Sequence, residues 1–221
     1  MVSGPTALET VSQTSEADPF KVLISTMLSA RTRDPVTEAA SDRLFAEYPN
    51  AQSLSKARVG VVKKLIKPVS FYSVKAARVI EVSRVLMQSY RGKVPENIDL
   101  LLELPGVGRK TANCVLVYAF KKPAIPVDVH VHRICNRIGL VSTKLPDQTE
   151  EELSKIYDRS RWLEVNELFV RFGQTVCKPL VPKCQTCLLT SVCRYYQTVV
   201  RRSEPRGMTV RPQSKSQSSN R

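Results

Sequence analysis

Apolar residues recur at helical spacing along almost the whole chain, and that pattern removes most folds from consideration. Phe20, Leu23, Ile24 and Met27 fall at i, i+3, i+4 and i+7. Asp34 followed by Pro35 reads as an N-cap and first-turn pair opening a second helix through Ala39, Ala40 and Leu44, which Pro49-Asn50 closes. Val61, Val62, Leu65 and Ile66 carry the next pattern. A longer one holds Val74, Ala77, Ile80, Val85 and Leu86 until Gly92 and Pro95 end it. Short helices are expected through Leu100 and Leu101 and through Thr111, Val115 and Tyr118, then one from Asp128 to Ile138. Thr149-Glu150-Glu151-Glu152 has the form of a capping box. Leu168, Phe169 and Phe172 mark the inner face of a last long helix. β-branched runs of period two are scarce, so the expected fold class is all-α. Pro123 and Pro126 interrupt the pattern and place a join between two lobes.

Charge bears on the partner. Thirty-four Lys and Arg against 20 Asp and Glu leave a formal +14. The stretch 201–221 holds +5 of this, so the body keeps +9, and the excess is not a tail effect. Clustered basic side chains displace the counterions of a polyanion, which favours nucleic acid over a merely solvated basic surface. The residues after about Tyr196 are rich in Ser, Gln, Arg and Pro and are expected to be a disordered tail. No run is apolar enough to span a bilayer, and the polar, mildly acidic start from Met1 to Pro19 is unlike a targeting peptide. A cytoplasmic, reducing setting follows as the default, with no membrane partner and a monomeric chain. Six cysteines there suggest metal before disulfides.

The most informative short stretch is LPGVGRKT, Leu104 to Thr111. Gly106 and Gly108 separate an apolar helix end from a new helix start. They permit a tight turn whose amides point outward at a helix N-terminus, an anion site suited to a duplex phosphate. Arg109 and Lys110 add charge there. A ligand-free helical hairpin would use the same glycines, but the basic flanks and the overall charge favour phosphate.

Lys110 falls in the first turn of the second hairpin helix. The positive helix end and partial burial both disfavour an ammonium, so the expected pKa is lowered. A neutral amine could attack the C1′ carbon of a damaged nucleotide and form a Schiff base. Asp128, between Val127 and Val129, is the candidate partner. A half-buried carboxylate there would stabilise oxocarbenium charge and assist deprotonation, and it can serve as an N-cap as well. His130 and His132 stand two apart on a helix, point to different sides and suit packing or hydrogen bonding better than a shared metal.

Cys177, Cys184, Cys187 and Cys193 give C-x6-C-x2-C-x5-C. Four thiolates in so short a loop can close on one centre, Zn²⁺ or [4Fe–4S]. The uneven spacing leans modestly toward the cubane. Cys114 and Cys135 lie inside helical patterns and read as core thiols.

LPGVGRKTAN (Leu104 to Asn113), VDVH (Val127 to His130) and the 6-2-5 cysteine loop, in this order, resemble the endonuclease III family of helix-hairpin-helix glycosylases. The match runs from about Phe20 to Tyr195. It implies a two-lobed all-α fold with the active site between lobes: a six-helix barrel at 21–124 carrying the hairpin, and a lobe of 1–20 and 125–200 carrying a [4Fe–4S] cluster on the four cysteines. It implies a bifunctional enzyme of base-excision repair that removes oxidised pyrimidines such as thymine glycol from duplex DNA, then cuts the abasic strand by β-elimination. Lys110 matches the Schiff-base lysine and Asp128 the catalytic carboxylate. Monofunctional relatives carry a non-amine residue at position 110. Phe71 aligns with the wedge that fills the vacated stack, where an aliphatic residue is more familiar. Arg31 stands where bacterial members commonly have a glutamine facing the orphaned base. Both departures bear on lesion and opposite-base preference, and an arginine could pair with an orphaned guanine. Lys178 and Lys183, on the cluster loop, are placed to meet the DNA backbone. The alternatives are a mismatch-directed glycosylase of the same fold and a noncatalytic DNA-binding or redox-sensing iron–sulfur protein.

Overall fold

A computed structural model describes residues 18–203, and among them every regular element is helical. Helix α1 (Pro19–Ser29) starts where Asp18 Oδ1 accepts the Phe20 amide at 2.9 Å, with Pro19 in the first turn. Val22, Leu23, Ile24 and Leu28 are fully buried, so this helix is apolar on several faces. A helix with no wet face must be surrounded, and α1 packs against α2 (Asp34–Glu47), α5 (Tyr72–Tyr90) and α7 (Arg109–Tyr118). Between them run α3 (Ala51–Ser55), α4 (Val59–Ile66) and α6 (Ile98–Leu102). Beyond the proline-containing break come α8 (Val129–Ile138), α9 (Pro146–Ile156) and α10 (Trp162–Thr175). The cysteine loop follows, then a π-helical turn at Tyr196–Val200 and a last turn at Arg201–Ser203.

Two hydrophobic cores form. The first gathers buried residues from Phe20 to Ala124, and the second begins at Ile125 with Val127, Val131, Cys135, Val141, Leu153 and Val165. Buried polar ties cross between them. Tyr118 Oη meets Asn166 Oδ1 at 3.0 Å and Asn113 Nδ2 donates to Ile125 O at 3.3 Å, and on the second side Asn166 Nδ2 donates to Pro126 O at 2.8 Å. No helix among the described residues is long and apolar enough to cross a membrane.

Several sequence expectations need correction. The capping residue of α2 is Arg33 rather than Asp34, which lies in the first helical turn. Thr149 does not open a helix. Pro146 does, and Gln148 Oε1 accepts the Lys144 and Leu145 amides while Thr149 is fully buried inside α9. Leu168 and Val74 are both about 60% exposed, and the inner faces carry Val165 and Val170 on α10 and Val79, Ile80 and Leu86 on α5. A one-position error in helical phase swings a side chain by about 100°, enough to misassign a face. Residues 196–203 are helical rather than disordered. The rest of the tail, like the first seventeen residues, lies outside the described part.

Candidate active site and nucleic-acid interface

A cleft of about 790 Å³ opens where the two cores meet, within the size range of ligand sites. It is lined from α1 and the following turn by Thr26 and Ser29 to Pro35, from α7 by Lys110, Thr111 and Tyr118, and from the other side by Val127 to His130, Asn166 and Gln174. Lys110, Asp128 and Arg31, read from the sequence as separate candidates, therefore share one cavity.

Each is set there by local backbone. Gly108 is the N-cap of α7, and the first ladder bond runs from the Ala112 amide to Gly108 O at 2.9 Å. The amides of Arg109, Lys110 and Thr111 precede that bond and have no partner within the helix. Nothing stands within 4 Å of where a Cβ on Gly108 would be, so this end of α7 is open. Gly106 is the glycine the turn requires: its φ is +79°, and an added Cβ would meet Arg78 Cδ at 3.3 Å. Arg109 does not point freely at this anion site. Its Nε is paired with Glu150 Oε2 at 3.0 Å, joining α7 to α9.

Asp128 is the N-cap of α8, and one oxygen, Oδ1, accepts the His130 and Val131 amides at 2.8 and 2.9 Å. Capping through a single oxygen leaves the carboxylate half-buried on the cleft wall and still able to act on Lys110. Lys110 titrates above its ordinary value, opposite to the expectation from burial and helix polarity. The Cys114 sulfur one turn along α7 is the largest cause, desolvation opposes it, and Asp128 and Asp34 add to the rise. Burial pushes the Cys114 thiol up. The lysine that burial does lower, to about 8, is Lys75, which is spent on backbone carbonyls.

His130 and His132 behave as hydrogen-bonding residues. His132 Nδ1 lies 2.7 Å from Thr149 Oγ1, and His130 Nδ1 lies 3.1 Å from Arg133 Nη2. Burial lowers the His130 pKa, against Asp128. Gly173 is a packing requirement, because a Cβ there would overlap the His130 ring.

At the cleft mouth, Arg31 and Phe71 lie against one another with the guanidinium carbon 6.0 Å from the ring centroid. Both are exposed, and both hold left-handed backbone, at φ 55° and 57°. Each such non-glycine residue costs about 1 to 2 kcal/mol, so the surrounding fold must impose the geometry.

The four cysteines of the loop form no disulfide, and all line one cavity with Arg137, Phe172 and Tyr195. Arg137 clamps the loop: Nη1 donates to Lys178 O at 2.7 Å and to Cys177 Sγ at 3.6 Å, and Nη2 to Pro179 O at 2.6 Å. Its guanidinium also lies 4.7 Å from the Tyr195 ring centroid. The Leu189 amide donates to Cys187 Sγ at 3.5 Å. Four thiols facing one space, with N–H donors aimed at two sulfurs, are the donor chemistry of a thiolate-held centre. No three His, Cys, Asp or Glu side chains among the described residues are gathered tightly enough for a single metal ion. Lys178 and Lys183 are exposed on the same loop.

Sequence reasoning missed Cys114 as a neighbour of Lys110, Asp34 as a cleft residue, and the Arg137 clamp. Asp34 carried a signal, standing three residues after Arg31. Cys114 carried one too, at i+4 from Lys110 on the same helix, whereas the Arg137 clamp depends on tertiary contact and carried none.

Known proteins share this fold. Residues 24–159 match the HhH-GPD superfamily of base excision DNA repair proteins. Endonuclease III of Thermotoga maritima is 50% identical over 182 residues, covering 82% of this chain and 85% of that protein. A solved trapped endonuclease III–DNA covalent intermediate, an estranged-adenine complex, superposes with a TM-score of 0.79 at 31% identity, covering 86% of this chain and 94% of that one. A thermostable thymine-DNA glycosylase gives 0.76 at 27% identity, covering 86% and 94%. With half of 182 aligned residues identical to an endonuclease III, across most of both chains, this protein belongs to the endonuclease III family of the HhH-GPD superfamily.

Proposed function

We propose that the protein is a bifunctional DNA glycosylase and abasic-site lyase that removes oxidised pyrimidines from duplex DNA, with Lys110 as nucleophile and Asp128 as its proton acceptor and charge partner. The observation that carries this is the placement of an amine and a carboxylate in one cleft beside an open helix N-terminus. Lys110 first gives up a proton, for which Asp128 is the nearby base. The amine lone pair then bonds to C1′ as the C1′–N bond breaks, and the base leaves with the bonding pair and takes a proton. The sugar ring opens to a Schiff base. Loss of a C2′ proton drives the C3′–O bond to break, expelling the 3′ phosphate, and water returns the lysine. The α7 amides and the hairpin glycines Gly106 and Gly108 hold a backbone phosphate, while Arg109 braces the hairpin through Glu150. Arg31 and Phe71 occupy the duplex gap left by the extruded nucleotide.

Cys177, Cys184, Cys187 and Cys193 would hold a [4Fe–4S] cluster, which when bound cross-links the loop and stabilises the fold around it. Lys178 and Lys183 would then face the DNA backbone. We assign residues 21–124 to a barrel lobe and 125–200 to the cluster lobe. Six unpaired cysteines suit a reducing setting, and we place the protein in a DNA-containing cytoplasm. Arg31 favours a second reading, excision of thymine mispaired with guanine, because a guanidinium can pair with guanine O6 and N7.

The test is a duplex carrying one thymine glycol, with released base and cut strand followed together. Equal rates of both are expected. Base release that leaves an intact, alkali-labile strand would refute bifunctionality, and activity on G·T mispairs alone would favour the second reading.

A further inference from the structure

A half-buried lysine outside the chemistry lies beneath the Arg31–Phe71 pair. Lys75 is in the first turns of α5, and its Nζ donates to Leu28 O at 2.7 Å, Ala30 O at 2.6 Å and Thr32 Oγ1 at 3.3 Å. Three acceptors match the three protons of an ammonium. All belong to the end of α1 and the turn that presents Arg31. The same Thr32 hydroxyl accepts the amide of Ser70 at 3.2 Å, the residue before Phe71. Two turns distant in sequence therefore meet at one nitrogen and one hydroxyl, and each carries a side chain of the pair on left-handed backbone. Desolvation lowers the Lys75 pKa to about 8, so the fold keeps this amine in place against its own hydration.

We infer that Lys75 is a positioning residue for duplex recognition: by fastening the 28–32 turn to α5 it presets Arg31 and Phe71 as one wedge, and so sets opposite-base selectivity. The inference rests on reading Arg31 and Phe71 as the residues that face the gapped duplex. A preset wedge spares the ordering of two side chains on binding. Loss of the fastening should therefore fall on KM and on selectivity, and much less on kcat.

The test compares wild type with Lys75→Met, Thr32→Val and Arg31→Ala on thymine glycol opposite each of the four bases. A second readout is the fluorescence of 2-aminopurine opposite a stable abasic analogue, which reports the state of the orphaned base without turnover. Lys75→Met should narrow the spread of kcat/KM among opposite bases by about tenfold, chiefly through KM, and reduce the fluorescence change on binding. Thr32→Val should move both in the same direction, and it decides the matter if Lys75→Met does not fold. If both variants keep wild-type selectivity and fluorescence while Arg31→Ala loses them, Lys75 is not the positioning residue and the reading of Arg31 stands. If Arg31→Ala also changes neither, that reading falls and this inference falls with it.

Discussion

At the residue scale the central finding is the state of Lys110. Burial and a helix N-terminus both argue for a lowered pKa, and that was the legible part. The Cys114 sulfur, Asp128 and Asp34 reverse the direction, and only the fold brings Asp128 and Asp34 to that amine. The consequence has a definite sign. Below its pKa the amine fraction grows tenfold per pH unit, so Schiff-base formation on an abasic duplex should rise with unit slope over about pH 6 to 9. A plateau near neutrality would show a lowered pKa and contradict this. Asp128→Asn should slow the step by about 100-fold or more, because it removes the carboxylate while leaving an oxygen able to cap α8. The single-turnover rate reads this directly.

At the element scale the hairpin was the most legible feature, since LPGVGRKT announced a turn between two helices and both glycines fell where expected. The glycines turned out unequal. Gly106 carries a left-handed torsion and a close Arg78, whereas Gly108 has open space around it. Gly106→Ala should cost about 1 to 3 kcal/mol of stability and weaken duplex binding, while Gly108→Ala should leave stability nearly unchanged. Thermal unfolding of the two variants distinguishes them, and equal losses would contradict the geometry. Less legible was the start of α9. Thr149-Glu150-Glu151-Glu152 has the composition of a cap, yet Pro146 opens the helix and Thr149 is buried with its hydroxyl 2.7 Å from His132 Nδ1. The ion pair of Arg109 was likewise illegible, because its partner Glu150 lies on a different helix.

At the scale of the whole molecule, the helical period disclosed the class, and the two hydrophobic cores change over between Ala124 and Ile125. What periodicity could not show was the cleft between the cores, because no local pattern records which helix ends face each other. The +14 charge finds its use at that scale. If Lys178 and Lys183 each meet one phosphate, replacing both by Gln should reduce the slope of log affinity against log salt by about 1.8. A slope unchanged from wild type would remove the cysteine loop from the interface. The central claim, that this cleft makes a covalent bond to DNA through Lys110, is tested most directly by borohydride reduction of the protein mixed with an abasic duplex. A stable protein–DNA adduct is expected from the wild type and none from Lys110→Ala that still binds the duplex; no adduct from the wild type, or an undiminished one from the variant, would contradict it.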